Sequence, residues 1–337
     1  MVQFEHAPPE ARQLLPVPIR ELGLSLESSP VAELVRHLYA ELEAKGLRGF
    51  KPLCYLSDEW GSPSGEPVIG IPFYLGDPRV ANLEDAVNDV ESEREIMMYL
   101  RHEAGHAFRH AWSLHRTDEF RALFGPVSRA YRDDFPFVPF SRDYVRYIPG
   151  WYAQKHPDED FAETFAVWLD PHSHWQRRYA GWPAMRKLQY VDRIARELGE
   201  RTPPKPRGRT DITVDEMTQT VEEFYREIHV DEKPMIADLA LDADLTQIFS
   251  ASGEQSAADL LAEHRRALVD KVNDWTGVRR TLVRELVLAI ERRLRELALF
   301  ATPGRTREQM IELTVYITAL SMTFLIGRKP LRHRRPQ

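Results

Sequence analysis

Apolar residues recur at helical spacing along most of the chain, and strand-like runs are confined to one region. Two runs rich in branched and aromatic residues, KPLCYLSDEW and VIGIPFYL, follow an early helix and predict strands. Between them, GSPSGEP predicts a hairpin-type connection. Pro72 in the second run favours a sheet edge, because proline cannot donate to a ladder. The pattern predicts an α+β fold with a small mixed sheet.

Two helices are predicted after the strands. One runs from about Glu93 to Trp112, and another from about Asp158 to Leu169, where Asp170-Pro171 ends it. The segment between them is rich in proline and aromatic residues and is expected to be irregular.

The pattern also predicts two domains, in keeping with a chain of 337 residues. Residues 201–211 hold three prolines and a glycine without an apolar period, which is typical of a linker. We therefore expect a first domain over residues 1–200 and a helical domain of unknown role over 212–330. A basic tail follows at 331–337.

Composition excludes several classes of protein. The formal charge of −7 argues against a nucleic-acid binder, and the single cysteine excludes intrachain disulfides and zinc sites built from several cysteines. The longest apolar stretch, Leu313 to Ile326, is too short to span a bilayer, and no secretory signal precedes the first helix. We expect a cytoplasmic protein that does not insert into membranes.

The sequence RHEAGH contains the HExxH pattern at residues 102–106. On a helix, His102 and His106 face the same way and can present two imidazole nitrogens to one zinc ion. Glu103 projects from the neighbouring flank, where it can accept a proton from a metal-bound water. His110 lies on the same side but two turns from His102, so we expect it near the ligands or lining the substrate site.

A catalytic zinc site needs a third protein ligand. Glu159 and Glu163 share one face of the second predicted helix, flanked by small alanines that permit close helix approach. We expect Glu159 as the ligand and Glu163 as the acceptor for the outer N–H of a ligand histidine. Glu163, Asp160 or His156 are the alternative ligands. The acids at 158 and 160 also suit a solvated helix start, which the helix dipole favours.

The motifs LRHEAGHA and HPDEDFAETFAVWL resemble the gluzincin clan of metallopeptidases, and more closely a bacterial family of zinc-binding metallopeptidases, over about residues 50–200. The resemblance implies a zincin-like fold, with Glu159 as third ligand and Glu163 matching the acid four residues later. It also implies that the hydroxyl of Tyr152 stabilises the oxyanion. Packing against the second helix is the alternative for Tyr152, and Tyr144, Tyr147 or Arg142 could take its place.

These observations predict a peptidase that acts on a peptide or protein substrate and holds one Zn²⁺, with Glu103 as general base. One alternative is a regulatory zincin that cleaves a single protein partner bound by the helical domain. Another is a zinc-containing binding protein without catalytic activity.

Overall fold

A computed structural model describes residue 4 and residues 7–132, 135–228, 241–278 and 280–327. The chain divides into two compact units, Met1–Asp231 and Glu232–Gln337. The helices and strands of the first unit are α1 Pro9–Arg12, α2 Val31–Ala44, β1 Leu53–Ser57, β2 Val68–Pro72, α3 Pro78–Asn88, α4 Glu93–Trp112, α5 Asp118–Phe124, α6 Pro157–Leu169, α7 Trp175–Arg178, α8 Met185–Leu198 and α9 Val221–Ile228. Those of the second unit are α10 Asp242–Ile248, α11 Ala257–Thr276, α12 Arg280–Glu296 and α13 Thr306–Gly327.

The two strands pair in parallel, from Leu53 opposite Val68 to Ser57 opposite Pro72. The predicted hairpin-type connection is therefore wrong. The chain leaves β1, reaches an isolated antiparallel bridge between Gly61 and Gly70, and then enters β2 in the same direction as β1. The α-dominated fold with a small sheet matches the predicted α+β class at this coarse level, although the sheet is purely parallel among the described residues.

The main core of the first unit forms where α4 packs against α6, α2 and β2. Phe108 of α4 stacks on Phe165 of α6 at 5.2 Å between ring centroids, and both side chains are fully buried. Arg101 of α4 donates two hydrogen bonds, of 2.7 and 2.6 Å, to Glu41 of α2. Apolar packing therefore sets the position of α6 relative to α4, and the ion pair joins α4 to α2.

Residues 212–228 belong to the first unit rather than to the predicted helical domain. The apolar face of α9, with Val221 and Phe224, packs into a second core cluster that contains Ile19, Phe73 and Val80. The proline-rich segment over 201–211 is also bound to this unit, since its backbone amides donate to Ala111 O, Glu66 Oε2 and Tyr55 Oη. The boundary between the units thus lies about twenty residues later than predicted.

The described part of the second unit is helical and has a hydrophobic core of its own. Helix α13 begins at Thr306 and ends at Gly327. No helix in the described part of the chain combines the length and the apolar character that crossing a bilayer requires. The predicted basic tail lies outside the described residues.

Candidate metal centre

Helix α4 carries the HExxH residues, and its ends are well defined by the sequence. A capping box at its N-terminus joins Ser92 and Glu95, and Ser113 ends the helix in the left-handed conformation (φ 50°). His102, Glu103 and His106 are all buried on this helix. Buried polar groups need partners, and α6 supplies them for His102 and His106.

Helix α6 begins with His156 as its N-cap, whose Nδ1 accepts from the amide of Asp158, and with Pro157 in the first turn. This start places Glu159 in the first turn. The two helices approach closely at Gly105, where an added Cβ would lie 2.8 Å from the Cα of Ala162. The small residues beside the acids therefore permit the predicted close approach, and Gly105 is the matching small residue on α4.

Three donor atoms converge between α4 and α6. His102 Nε2 lies 3.0 Å from Glu159 Oε2, His106 Nε2 lies 3.3 Å from the same oxygen, and the two Nε2 atoms are 3.1 Å apart. These three residues form the group able to hold a metal ion in the described part of the chain. All three are buried, with at most 8% of any residue exposed.

The donor set fits zinc. Zinc is bound tetrahedrally by imidazole and carboxylate, at about 2.0–2.2 Å, so two of its ligand atoms lie about 3.3–3.5 Å apart. The separations of 3.0–3.3 Å are close to that value. Glu103 gives a second observation in favour of a metal centre, because its buried Oε2 has no hydrogen-bond partner among the described residues. A buried carboxylate oxygen without a protein partner is suited to a ligand or water at the centre.

The outer nitrogen of His102 is held by Glu163. Its Nδ1 lies 2.9 Å from Glu163 Oε1, while Glu163 Oε2 accepts hydrogen bonds from the amides of Tyr147 and Ile148 at 3.2 and 2.9 Å. Glu163 is fully buried. Burial disfavours the protonated imidazole, but the hydrogen bonds to Glu159 and Glu163 outweigh it and raise the pKa of His102 to about 9.

The outer nitrogen of His106 has its own carboxylate, which the sequence analysis did not identify. Asp158 Oδ1 lies 3.2 Å from His106 Nδ1, and Arg109 Nη2 donates to Asp158 Oδ2 at 2.7 Å. Although burial opposes ionisation, His106 and Arg109 hold the pKa of Asp158 below its usual value. The sequence feature that could have indicated Asp158 is Arg109, because a buried cation on the HExxH helix needs an acidic partner.

The alternative ligands are engaged elsewhere. Asp160 Oδ2 lies 2.6 Å from Lys187 Nζ, and His156 uses Nδ1 as the N-cap and Nε2 towards Arg129 O. Burial raises the pKa of Asp160 to about 7, and Lys187 offsets part of this effect. The interpretation of the acids at 158 and 160 as a solvated helix start is therefore wrong, because Asp160 makes a buried ion pair and Asp158 a partly buried one.

Tyr152 lies beside the donor atoms, with its ring centroid 5.6 Å from that of His102. It begins a short 3-10 turn, Tyr152–Gln154, after Trp151 adopts a left-handed conformation. Burial raises the pKa of Tyr152, so that its hydroxyl keeps its proton and remains a donor. A second tyrosine, Tyr131, was missed in the sequence. Its hydroxyl donates to Glu159 Oε1 at 2.8 Å and lies 3.3 Å from the Tyr152 hydroxyl.

His110 binds the connection between the strands. Its Nδ1 accepts from the amide of Gly65 at 2.9 Å, and Arg109 Nη2 lies 3.0 Å from its Nε2. Burial, with the charge of Arg109, lowers the pKa of His110 to about 3. As a neutral ring, His110 thus holds the loop that contains Gly65 against α4. It is adjacent in sequence to Arg109, which binds Asp158.

Residues 80–181 match a family profile described as "Putative zinc-binding metallo-peptidase". This segment contains α4 and α6, and so all three converging donors. The predicted resemblance to a family of zinc-binding metallopeptidases is confirmed over this range. No curated protein and no solved structure shows a significant match to the chain.

Proposed function

We propose that this protein is a zinc-dependent peptidase whose metal is held by His102, His106 and Glu159. The observation that carries the proposal is the convergence of their three donor atoms within 3.3 Å, beside a buried Glu103. The match of residues 80–181 to a metallopeptidase family supports peptide bonds as the substrate.

The residues around the centre have separate tasks. Bound zinc would act as a Lewis acid that lowers the pKa of water and polarises the substrate carbonyl. Glu103 would accept the proton of the attacking water at its free Oε2 and return it to the leaving amine nitrogen. Tyr152 would donate its hydroxyl proton in a hydrogen bond to the oxygen of the tetrahedral intermediate, an effect typically worth about 3 kcal/mol.

Two carboxylates orient the imidazoles. Glu163 and Asp158 lie on the outer nitrogens of His102 and His106, which directs both Nε2 atoms towards Glu159. This arrangement supports a centre formed before metal binds.

Glu103→Gln tests the general base. We expect the variant to bind one zinc per chain, measured by metal analysis, and to lose hydrolysis by at least about 100-fold. Glu197→Gln, an exposed change on α8, is the matched control and should retain activity. Full activity in Glu103→Gln would contradict the assigned base, and absence of zinc from the wild type would contradict the metal centre.

The substrate can be identified by incubating the zinc-loaded protein with a cell lysate and mapping the new N-termini. The Glu103→Gln variant serves as the inactive control. Many cleaved proteins would support a general peptidase. One cleaved protein would favour the regulatory alternative, in which the helical unit binds the partner. Bound zinc without any cleavage would favour the binding protein.

A further inference from the structure

We propose that Tyr131 is a positioning residue that makes Glu159 a ligand through one oxygen only. The inference rests on the metal centre of the proposed function and adds a residue outside the two ligand helices. Tyr131 lies in the segment between α5 and α6, and about half of its surface is exposed.

The two oxygens of Glu159 have different surroundings. Oε2 faces both imidazoles, at 3.0 Å from His102 Nε2 and 3.3 Å from His106 Nε2. Oε1 accepts the hydroxyl of Tyr131 at 2.8 Å. Glu159 is 4% exposed, so solvent has little access to either oxygen. Burial, with the charge of Glu159, raises the pKa of Tyr131, so its phenol is a donor at neutral pH.

A carboxylate can bind a cation through one oxygen or through both. A hydrogen bond to Oε1 competes with binding of that oxygen to the metal, because it occupies a lone pair and fixes the plane of the carboxylate. A catalytic zinc site keeps a position open beside its three protein ligands. With three protein atoms and one water the ion has four ligands, and a second oxygen from Glu159 would add a fifth beside the water. Tyr131 therefore preserves the space in which substrate is bound.

The surroundings of Tyr131 fix its hydroxyl in this place. Lys155 Nζ lies 4.2 Å from the centroid of its ring, and the hydroxyl of Tyr152 lies 3.3 Å from its own. The ring also packs beside His156, at 5.4 Å between centroids. These contacts come from the turn that precedes α6, so the segment containing Tyr131 is attached to the same end of the helix as Glu159.

The test uses the full chain, freed of metal with a chelator and loaded with saturating Co²⁺, whose visible absorption is more intense with four ligands than with five. We expect Tyr131→Phe to show weaker absorption than the wild type, because Oε1 joins the metal. Tyr144→Phe removes a hydroxyl from the same segment and should keep the wild-type spectrum. Both metal-free variants should unfold cooperatively on heating, which shows that the spectra are those of folded protein.

A second background tests whether the effect passes through Glu159. Glu159→Gln offers a single carbonyl oxygen, so addition of Tyr131→Phe in that background should leave the Co²⁺ spectrum unaltered. An unchanged spectrum in Tyr131→Phe alone, or a further change in the double variant, would overturn the inference and leave the proposed function intact. A wild type that binds no Co²⁺ would overturn the metal centre and this inference together.

Discussion

Asp158 Oδ1 lies 3.2 Å from the outer nitrogen of His106, and Arg109 of the same ligand helix bonds the other oxygen of Asp158. The guanidinium keeps the partly buried aspartate charged, and the aspartate fixes the ring of His106. Arg109 therefore helps to orient His106 through Asp158, although Arg109 does not contact the metal-binding atoms.

Asp158→Ala should weaken zinc affinity by about 10- to 100-fold, because His106 loses the group that orients it. A chelator competition assay measures the change. Asp118→Ala is the control, since this aspartate also lies in the first turn of a helix but is fully exposed. Equal affinities for Asp158→Ala and the wild type would show that the ring is oriented without Asp158.

Glu163→Gln should lower the free energy of unfolding by about 1–3 kcal/mol. The carboxylate accepts from His102 and from the amides of Tyr147 and Ile148, and a glutamine would turn its NH₂ group towards one of these donors. Urea unfolding of the metal-free protein measures the loss. An unfolding free energy equal to that of the wild type would mean that the pocket rearranges to accept the amide.

Gly105→Ala should destabilise the first unit by about 1–3 kcal/mol and weaken zinc binding. The new Cβ would lie 2.8 Å from Ala162 Cα and 3.0 Å from Ala162 O, so α4 and α6 must separate. In Gly61→Ala the Cβ meets nothing within 4 Å, and stability should stay within about 0.5 kcal/mol. Urea unfolding and zinc titration of both variants make the comparison, and similar behaviour of the two would contradict the close contact.

His110 should make stability depend on pH. The pKa of His110 is about 3 in the folded protein and near 6.5 in the unfolded chain. Its contribution to the free energy of unfolding is therefore complete above pH 6.5 and declines as the pH falls towards 3. Between pH 7 and pH 5 the wild type should lose about 2 kcal/mol more than His110→Asn, which keeps an acceptor for Gly65 and cannot titrate. Parallel unfolding curves across this range would show that His110 is not held neutral.

The helix that carries HExxH was predicted with its observed ends, because capping residues and apolar spacing are local signals. The pairing of Glu159 with Glu163 on one face followed from helical geometry alone. Tyr131 could not be found in this way, since it lies in an irregular segment and contacts Glu159 only through the tertiary fold.

Other differences between the predicted and the observed structure also arise from contacts between residues that are distant in the sequence. A run of branched residues predicts a strand but carries no information on its direction relative to the next, so β1 and β2 were assigned the wrong connection. Residues 212–228 were assigned to the helical domain, but α9 packs in a cluster with residues between 7 and 87, more than 130 residues away in the chain. Asp158 looked like an ordinary acid at a helix start because its partner on α4 is 49 residues distant.

The dual use of Glu163 bears on protein engineering. One of its oxygens serves an imidazole and the other the amides of Tyr147 and Ile148. A designer who transplanted only the two ligand helices into a new scaffold would leave that second oxygen without donors. A transplanted site therefore needs three segments of the chain, namely α4, α6 and the residues around Tyr147.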